Sequence, residues 1–263
     1  MRHSAPIVAI LFVIASASPA HGQSTTSVTD IRRGDSLTAA LDPAGALEAY
    51  RAAYLADQTY ESMWKFARAQ VDVAKQLQGK KQAARRDSLY GVAHLYAAAA
   101  VRADSSDAEG HFMVANALGQ LSRTRGGKER VRFAQVIYDE AVTALAIDPT
   151  HDGAHHVLGA WHAEVKRLSG VAKFFAKTFF GAGFLDRASW DSSVVHLERA
   201  VELKPDYLFH RLELAQTYLD VDRVADAQHQ LEEVLGLAPT SDVSDPQYQD
   251  EARTLLQTIG RAP

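Results

Sequence analysis

The feature that most limits what this chain can fold into is a phrase that recurs where helices should end. A small or β-branched residue is followed by an apolar residue one later, another three later, and a helix breaker five later. Its copies are Ala100-Val101-Ala103-Ser105, Ala144-Leu145-Ile147-Pro149, Ala200-Val201-Leu203-Pro205 and Val234-Leu235-Leu237-Pro239. A second phrase follows the first three breakers at a fixed distance. Nine residues on stand Val114, Leu158 and Leu214; ten on stand Ala115, Gly159 and Ala215; thirteen on stand Leu118, His162 and Tyr218. The small middle residue lets two helices approach closely, and its neighbours at helical spacing form a packed stripe. Alanine and leucine keep this spacing through most of the chain, with few prolines and no run of alternating β-branched residues, so the fold class is all-α.

The spacing of the phrases defines the architecture. Pro205 to Pro239 is 34 residues, the period of a tetratricopeptide helix-turn-helix. In that unit Leu214, Ala215, Tyr218, Ala227, Leu231, Val234 and Pro239 resemble the tetratricopeptide pattern at every position except the leading tryptophan, which is Arg211. Ser105 to Pro149 is 44 residues and Pro149 to Pro205 is 56. The surplus falls between the small-residue helix and the end phrase. This predicts a helical solenoid with insertions in the intra-repeat turns, all along one edge. The expected units are 30–59, 61–106, 108–150, 152–206 and 208–241, the first a weaker copy carrying Ala46, Tyr50 and Ala53. A C-terminal capping helix is expected over 245–260, opened by Asp245-Pro246 and covering the last apolar face with Ala252, Leu255 and Leu256.

The beginning of the chain has a different composition. Met1-Arg2-His3 precedes an apolar or small run from Ile7 to Ala17, and Ala20-His21-Gly22 supplies small residues where a signal peptidase cuts. The run is too short to span a bilayer. A signal peptide over 1–22 and a linker over 23–29 are therefore expected, giving an exported, periplasmic protein with no transmembrane anchor after cleavage. The 263 residues include no cysteine, which excludes a thiol nucleophile, a thiolate zinc site and a lipid anchor on cysteine. A net charge of −4 with 47% hydrophobic residues excludes a polybasic nucleic-acid binder. That small charge hides an asymmetry: residues 61–132 hold 13 basic and 7 acidic side chains, and residues 190–253 hold 5 and 14.

The stretch Ala154 to Leu168, AHHVLGAWHAEVKRL, followed by a long aromatic insertion and then ERAVELKP, resembles the regulator of microtubule dynamics family. The resemblance extends over roughly residues 60 to 260 in layout. It implies the tetratricopeptide fold and, from the family's mitochondria to endoplasmic reticulum tether, a tetratricopeptide domain associated with phospholipid. No microtubule role is expected of an exported chain.

In tetratricopeptide proteins, positions beside the packed stripe of each first helix line the concave face. Here they are Phe112, Asn116, His156, Ala160, Phe209, Leu212 and Gln216. This mixed, apolar-leaning groove suits a protein or peptide partner or an acyl chain better than a charged sugar or nucleic acid. The insertion Ser169 to Trp190 holds Phe174, Phe175, Phe179, Phe180 and Phe184, half of the ten phenylalanines, with Lys173 and Lys177 among them. Two readings stand: a lid or membrane-touching element, or a helix folded back onto the core.

Other motifs carry less. His151, His155, His156 and His162 crowd one segment, and His151 and His155 have helical ligand spacing. There is no HExxH, and His155 and His162 fall at packing positions, so no metal site is expected. Arg125-Gly126-Gly127-Lys128-Glu129 lacks the first phosphate-loop glycine, with Ser122 in its place, and carries Glu129 where Ser or Thr would hold magnesium. No GxSxG and no paired carboxylates appear. The expectation is a non-catalytic, cofactor-free scaffold that binds protein. Alternatives are a lipid-binding or lipid-transfer protein with the 169–190 insertion as lid, and a subunit of a homo-oligomer or envelope complex.

Overall fold

A computed structural model of the protein describes residues 24–260; the expected signal peptide lies outside the described residues. Within them the chain is helical with no strand: α1 (Thr25–Ala39), α2 (Pro43–Ala56), α3 (Tyr60–Gln76), α4 (Ala83–Ala103), α5 (Ala108–Ser122), α6 (Gly127–Ile147), α7 (Asp152–Arg167), α8 (Gly170–Phe180), α9 (Trp190–Leu203), α10 (Leu208–Asp220), α11 (Val224–Gly236) and α12 (Asp245–Ile259). Helices pack as successive antiparallel pairs, α1 with α2, α3 with α4, α5 with α6, α7 with α9 and α10 with α11, and α12 closes the end. The fold is a tetratricopeptide solenoid.

Local chemistry sets the helix boundaries. Asp42 accepts from the Gly45 amide and Pro43 opens α2. Thr59 and Ser62 form a reciprocal capping box at α3. Ser169 and Ser189 cap α8 and α9. Two of the inter-unit breakers are preceded by an aspartate that tightens the turn: Asp104 Oδ1 accepts from the Ser106 amide at 2.8 Å, and Asp148 Oδ1 from the Thr150 amide at 2.8 Å.

A polar contact takes the place of the repeat's leading tryptophan. Six residues after Ser105, Pro149 and Pro205 stand His111, His155 and Arg211, and each reaches back to its breaker's carbonyl, at 3.2, 3.0 and 2.8 Å. The far side of each meets the paired helix or its neighbour: Glu140, His196 and Gln230 respectively. Arg211 therefore performs for its unit what the two histidines do for theirs.

The small residues of the second phrase are where the helices touch. Ala115 and Ala215 are fully buried, and a Cβ added to Gly159 would lie 2.7 Å from Leu197 Cγ and 3.1 Å from the Leu197 backbone nitrogen. The Gly159 carbonyl also accepts from Ser193 Oγ at 2.8 Å. One core runs from α3 through α8 and a second from α9 through α12.

Surplus residues take two forms. In the second and third units they lengthen the second helix, so that α4 and α6 each have 21 residues against 14 in α9 and 13 in α11. In the fourth unit they make a separate helix, α8, and a 3-10 turn over Gly183–Arg187.

One boundary differs from the expectation. The segment expected as a linker, 23–29, is helical from Thr25. Its Ser- and Thr-rich composition reads as loop, but Ser27, Ile31 and Gly34 are buried, and packing of Gly34 on the Tyr50 ring overrides weak local propensity.

Candidate functional site

The helices α5, α6, α7 and α8 border a largely apolar, partly open cavity of about 410 Å³. Two segments that looked separate in the sequence meet in its wall. From the expected groove come Asn116, His156, Ala160 and Phe209; from the aromatic insertion come Phe175 and Phe180. Trp161 is among the lining residues, held by its indole N–H donating to the Ala134 carbonyl at 2.8 Å.

Small residues let α8 lie over the cavity. Ala172 and Ala176, four apart, face it, and Ala176 is buried. Most of the large side chains are turned outward, although Phe175 and Phe180 also line the cavity. Phe174, Phe175 and Phe179 are 62%, 51% and 65% exposed, as is Val171 at 68%, and the Phe175 and Phe179 rings stack at 5.6 Å. Only Phe184, beyond α8, folds onto the core, 6.3 Å from Trp161. Of the two readings of the insertion, burial of the phenylalanines as core thus holds for Phe184 and fails for Phe174, Phe175 and Phe179.

The rest of the expected groove is not open. Phe112 lies away from the cavity, its ring over Gly153 and 4.7 Å from the His151 ring. Leu212 is 2% exposed, Gln216 donates to Glu251 of α12 at 2.6 Å, and Phe209 stacks on Tyr248 of α12 at 4.7 Å. The capping helix therefore covers the end of the concave face. Leu212 and Gln216 border a polar recess beside the cavity, where Arg167 pairs with Glu213 at 3.3 Å and Asp220 at 2.7 Å. Burial raises the Glu213 carboxyl above its usual range even with Arg167 beside it. Arg123 and Arg130 stand between recess and cavity and line both.

The concave face is also crossed at a distance. Lys75 at the end of α3 pairs with Asp242, in the loop before α12, at 3.0 Å, and Tyr207 donates to the same carboxylate at 2.5 Å. Burial works against the Asp242 charge, but Lys75, Tyr207 and the Ser244 amide overcome it and hold its pKa below the ordinary value. No sequence pattern links residues 75 and 242; only the curvature of the solenoid brings them together.

The histidines serve several separate purposes. His151 Nδ1 accepts from the Ala154 amide and caps α7, and its Nε2 is 3.4 Å from Glu109. Burial lowers its pKa, but Glu109 outweighs burial and the net shift is upward. His155 faces His196, with Nδ1 atoms 2.9 Å apart, so the pair His151 and His155 diverges despite its spacing. Burial, with His155 and His162 nearby, pushes His196 down to about 4. His156 meets His210, Nδ1 to Nδ1 at 3.0 Å, and His210 Nε2 reaches Asp152 at 2.9 Å. Among the described residues no group of three or more His, Asp or Glu is arranged to hold a metal ion, and no helix is long and apolar enough to cross a membrane.

Comparison with known proteins agrees with this geometry. A tetratricopeptide-repeat protein of Thermus thermophilus superposes with a TM-score of 0.62 at 19% identity, covering 87% of this chain and 99% of that one. Regulator of microtubule dynamics protein 1 of Bos taurus is 25% identical over 205 residues, 78% of this chain and 63% of its own length. The Homo sapiens protein of the same name is 24% identical over 197 residues, 74% and 61% respectively. The chain thus spans less than two thirds of these relatives. Residues 30–260, nearly all of the described structure, match the regulator of microtubule dynamics protein 1-3 family, and the chain belongs to that family.

Proposed function

We propose that the protein is a non-catalytic binding module, acting outside the cytoplasm, whose ligand is a lipid or similar amphiphile held in the cavity between α5, α6, α7 and α8. One observation carries this reading: the cavity is apolar, of ligand size, and roofed by a helix whose outer face is exposed phenylalanine. Phe175 belongs to both surfaces, so an apolar chain could pass from a membrane along α8 into the cavity without crossing water. Lys173 and Lys177 flank the aromatic face, as suits an interface with one wet side. Asn116, His156, Ala160, Phe209, Phe175 and Phe180 line the site in this proposal, and Phe174 and Phe179 make its approach.

A protein- or peptide-binding scaffold is the second reading. It is favoured by the polar recess beside the cavity, where Arg123 has no acidic partner within 4.0 Å among the described residues and adjoins Arg130. An extended peptide has less room than in an open solenoid, because α12 and the Lys75–Asp242 contact occupy part of the concave face. Neither reading calls for nucleic acid, microtubules or a cofactor.

Mass spectrometry of the purified chain tests the choice. Bound lipid appears as added mass under native conditions that is lost on denaturation, and Ala160→Trp, which obstructs the cavity, reduces it. No added mass, together with no uptake of lipid from phosphatidylcholine vesicles, would refute the lipid reading; a doubled mass would support a self-associating subunit instead.

A further inference from the structure

Asp152, His210 and His156 form a hydrogen-bonded row that ends at the cavity wall. Asp152 opens α7, His156 lies one turn further along the same helix, and His210 comes from α10. Burial raises the Asp152 pKa, but the His210 hydrogen bond and the charge of Lys204 oppose it and the carboxyl lies at about 2. Asp152 is therefore a carboxylate, which only accepts, so His210 Nε2 bears a proton and donates to it across 2.9 Å.

The rest of the row follows from counting protons. Burial holds both His210 and His156 below the ordinary histidine range, with Asp152 opposing burial at His210 without overcoming it. Both rings are neutral near pH 7. A neutral His210 protonated at Nε2 has only a lone pair at Nδ1, so His156 supplies the hydrogen of the 3.0 Å contact from its own Nδ1. His156 Nε2 is left as an unprotonated acceptor. The ring is 6% exposed, lies 4.5 Å from Phe209 and lines the cavity, and no described residue hydrogen-bonds its Nε2.

We infer that His156 Nε2 is a fixed hydrogen-bond acceptor inside the cavity, which selects amphiphiles whose head carries a neutral O–H donor, such as a long-chain alcohol or a monoacylglycerol. The inference rests on the cavity being the ligand site, as proposed above. Asp152 and His210 are positioning residues: they hold the tautomer and do not touch the ligand. A buried acceptor left unpaired by a donor-free ligand forfeits the interaction, so a ligand of the same size without the O–H binds about tenfold more weakly.

Two isomers isolate that hydrogen. Undecan-1-ol donates, decyl methyl ether does not, and binding of each to the full chain is read from the change in its tryptophan fluorescence. The wild type is expected to prefer the alcohol about tenfold, and His156→Phe is expected to bind the two within about twofold. Equal binding by the wild type, or a preference that survives His156→Phe, overturns the inference and leaves the cavity reading intact. Binding of neither isomer overturns both. Should His156→Phe not fold, nitrogen-15 spectra of histidine-labelled wild type decide. The His156 Nε2 resonance must move with the alcohol and not with the ether, and an Nε2 resonance unmoved by the alcohol sinks the inference.

Discussion

Gly159 offers the sharpest test of how the repeats pack. Equivalent positions carry alanine in the neighbouring units, Ala115 and Ala215, so a sequence comparison of repeats would call Gly159→Ala harmless. The structure says otherwise, because the new Cβ would sit 2.7 Å from Leu197 Cγ, 3.1 Å from Cδ2 and 3.1 Å from the Leu197 backbone nitrogen. Leu197 is fully buried, so its side chain has no free space to move into, and the backbone contact requires α7 and α9 to part slightly. Overpacking of this kind costs about 1–3 kcal/mol, while replacing a mid-helix glycine returns about 1 kcal/mol of helix propensity. A net loss of up to about 2 kcal/mol follows, which lowers the melting temperature by up to about 8 °C for a chain of this size. The decisive assay is a denaturant double-mutant cycle with Leu197→Ala. That change alone costs about 2–4 kcal/mol by leaving a cavity, but in the double variant the added methyl fills part of the space and meets no leucine. The two changes should be coupled favourably by about 1–2 kcal/mol. Additivity within about 0.5 kcal/mol, or a stabilising Gly159→Ala, would refute the argument that Leu197 is what demands glycine.

Two further outcomes test other contacts. Lys75→Met leaves the 7%-exposed Asp242 side chain with Tyr207 but no cation, and should cost about 3 kcal/mol; amide exchange over 240–259 should accelerate before exchange elsewhere, and unchanged exchange there would show that the contact does not hold α12. The second concerns pH. His196 is neutral in the fold with a pKa near 4 against 6.5 unfolded, so its contribution is intact above 6.5 and lost progressively as pH falls toward 4. After allowance for its partial exposure, the stability advantage of the wild type over His196→Asn should narrow by about 1 kcal/mol between pH 7 and pH 5, and a constant gap in urea titrations would contradict the shift.

Much of the scaffold was legible because it is written in local spacing. The end phrases and the residues nine, ten and thirteen beyond each breaker locate α5, α7 and α10, and the surplus between Leu158 and Ala200 locates the insertion that contains α8. The helix beginning at Thr25 shows the limit of composition: Gly34 packs on Tyr50, which stands in the next helix. The site was legible in halves. His156 and Ala160 were expected on a concave face and the phenylalanines on an inserted edge, yet nothing in their separate spacings says that α8 folds over the α7 floor. The clue was present in Ala172 and Ala176, two small residues four apart between bulky ones, which mark the face a helix can lay close to another surface.

The expectation that failed is the open groove, and its failure narrows the ligand. A straight array would leave Phe112, Leu212 and Gln216 along one continuous trough. The solenoid instead curves until α3 meets the loop before α12, where Lys75 finds Asp242, and the cap places Tyr248 against Phe209 and Glu251 against Gln216. The Lys75–Asp242 contact joins residues 167 apart in the chain, so it depends on the summed rotation of several repeats and leaves no local signature. With part of the concave face occupied and Phe112 seated over Gly153, the apolar space that remains is the volume beneath α8. A peptide bound by its backbone needs length along the solenoid. An acyl chain needs only apolar volume and one polar anchor, and in the proposal above the cavity supplies the volume and His156 the anchor.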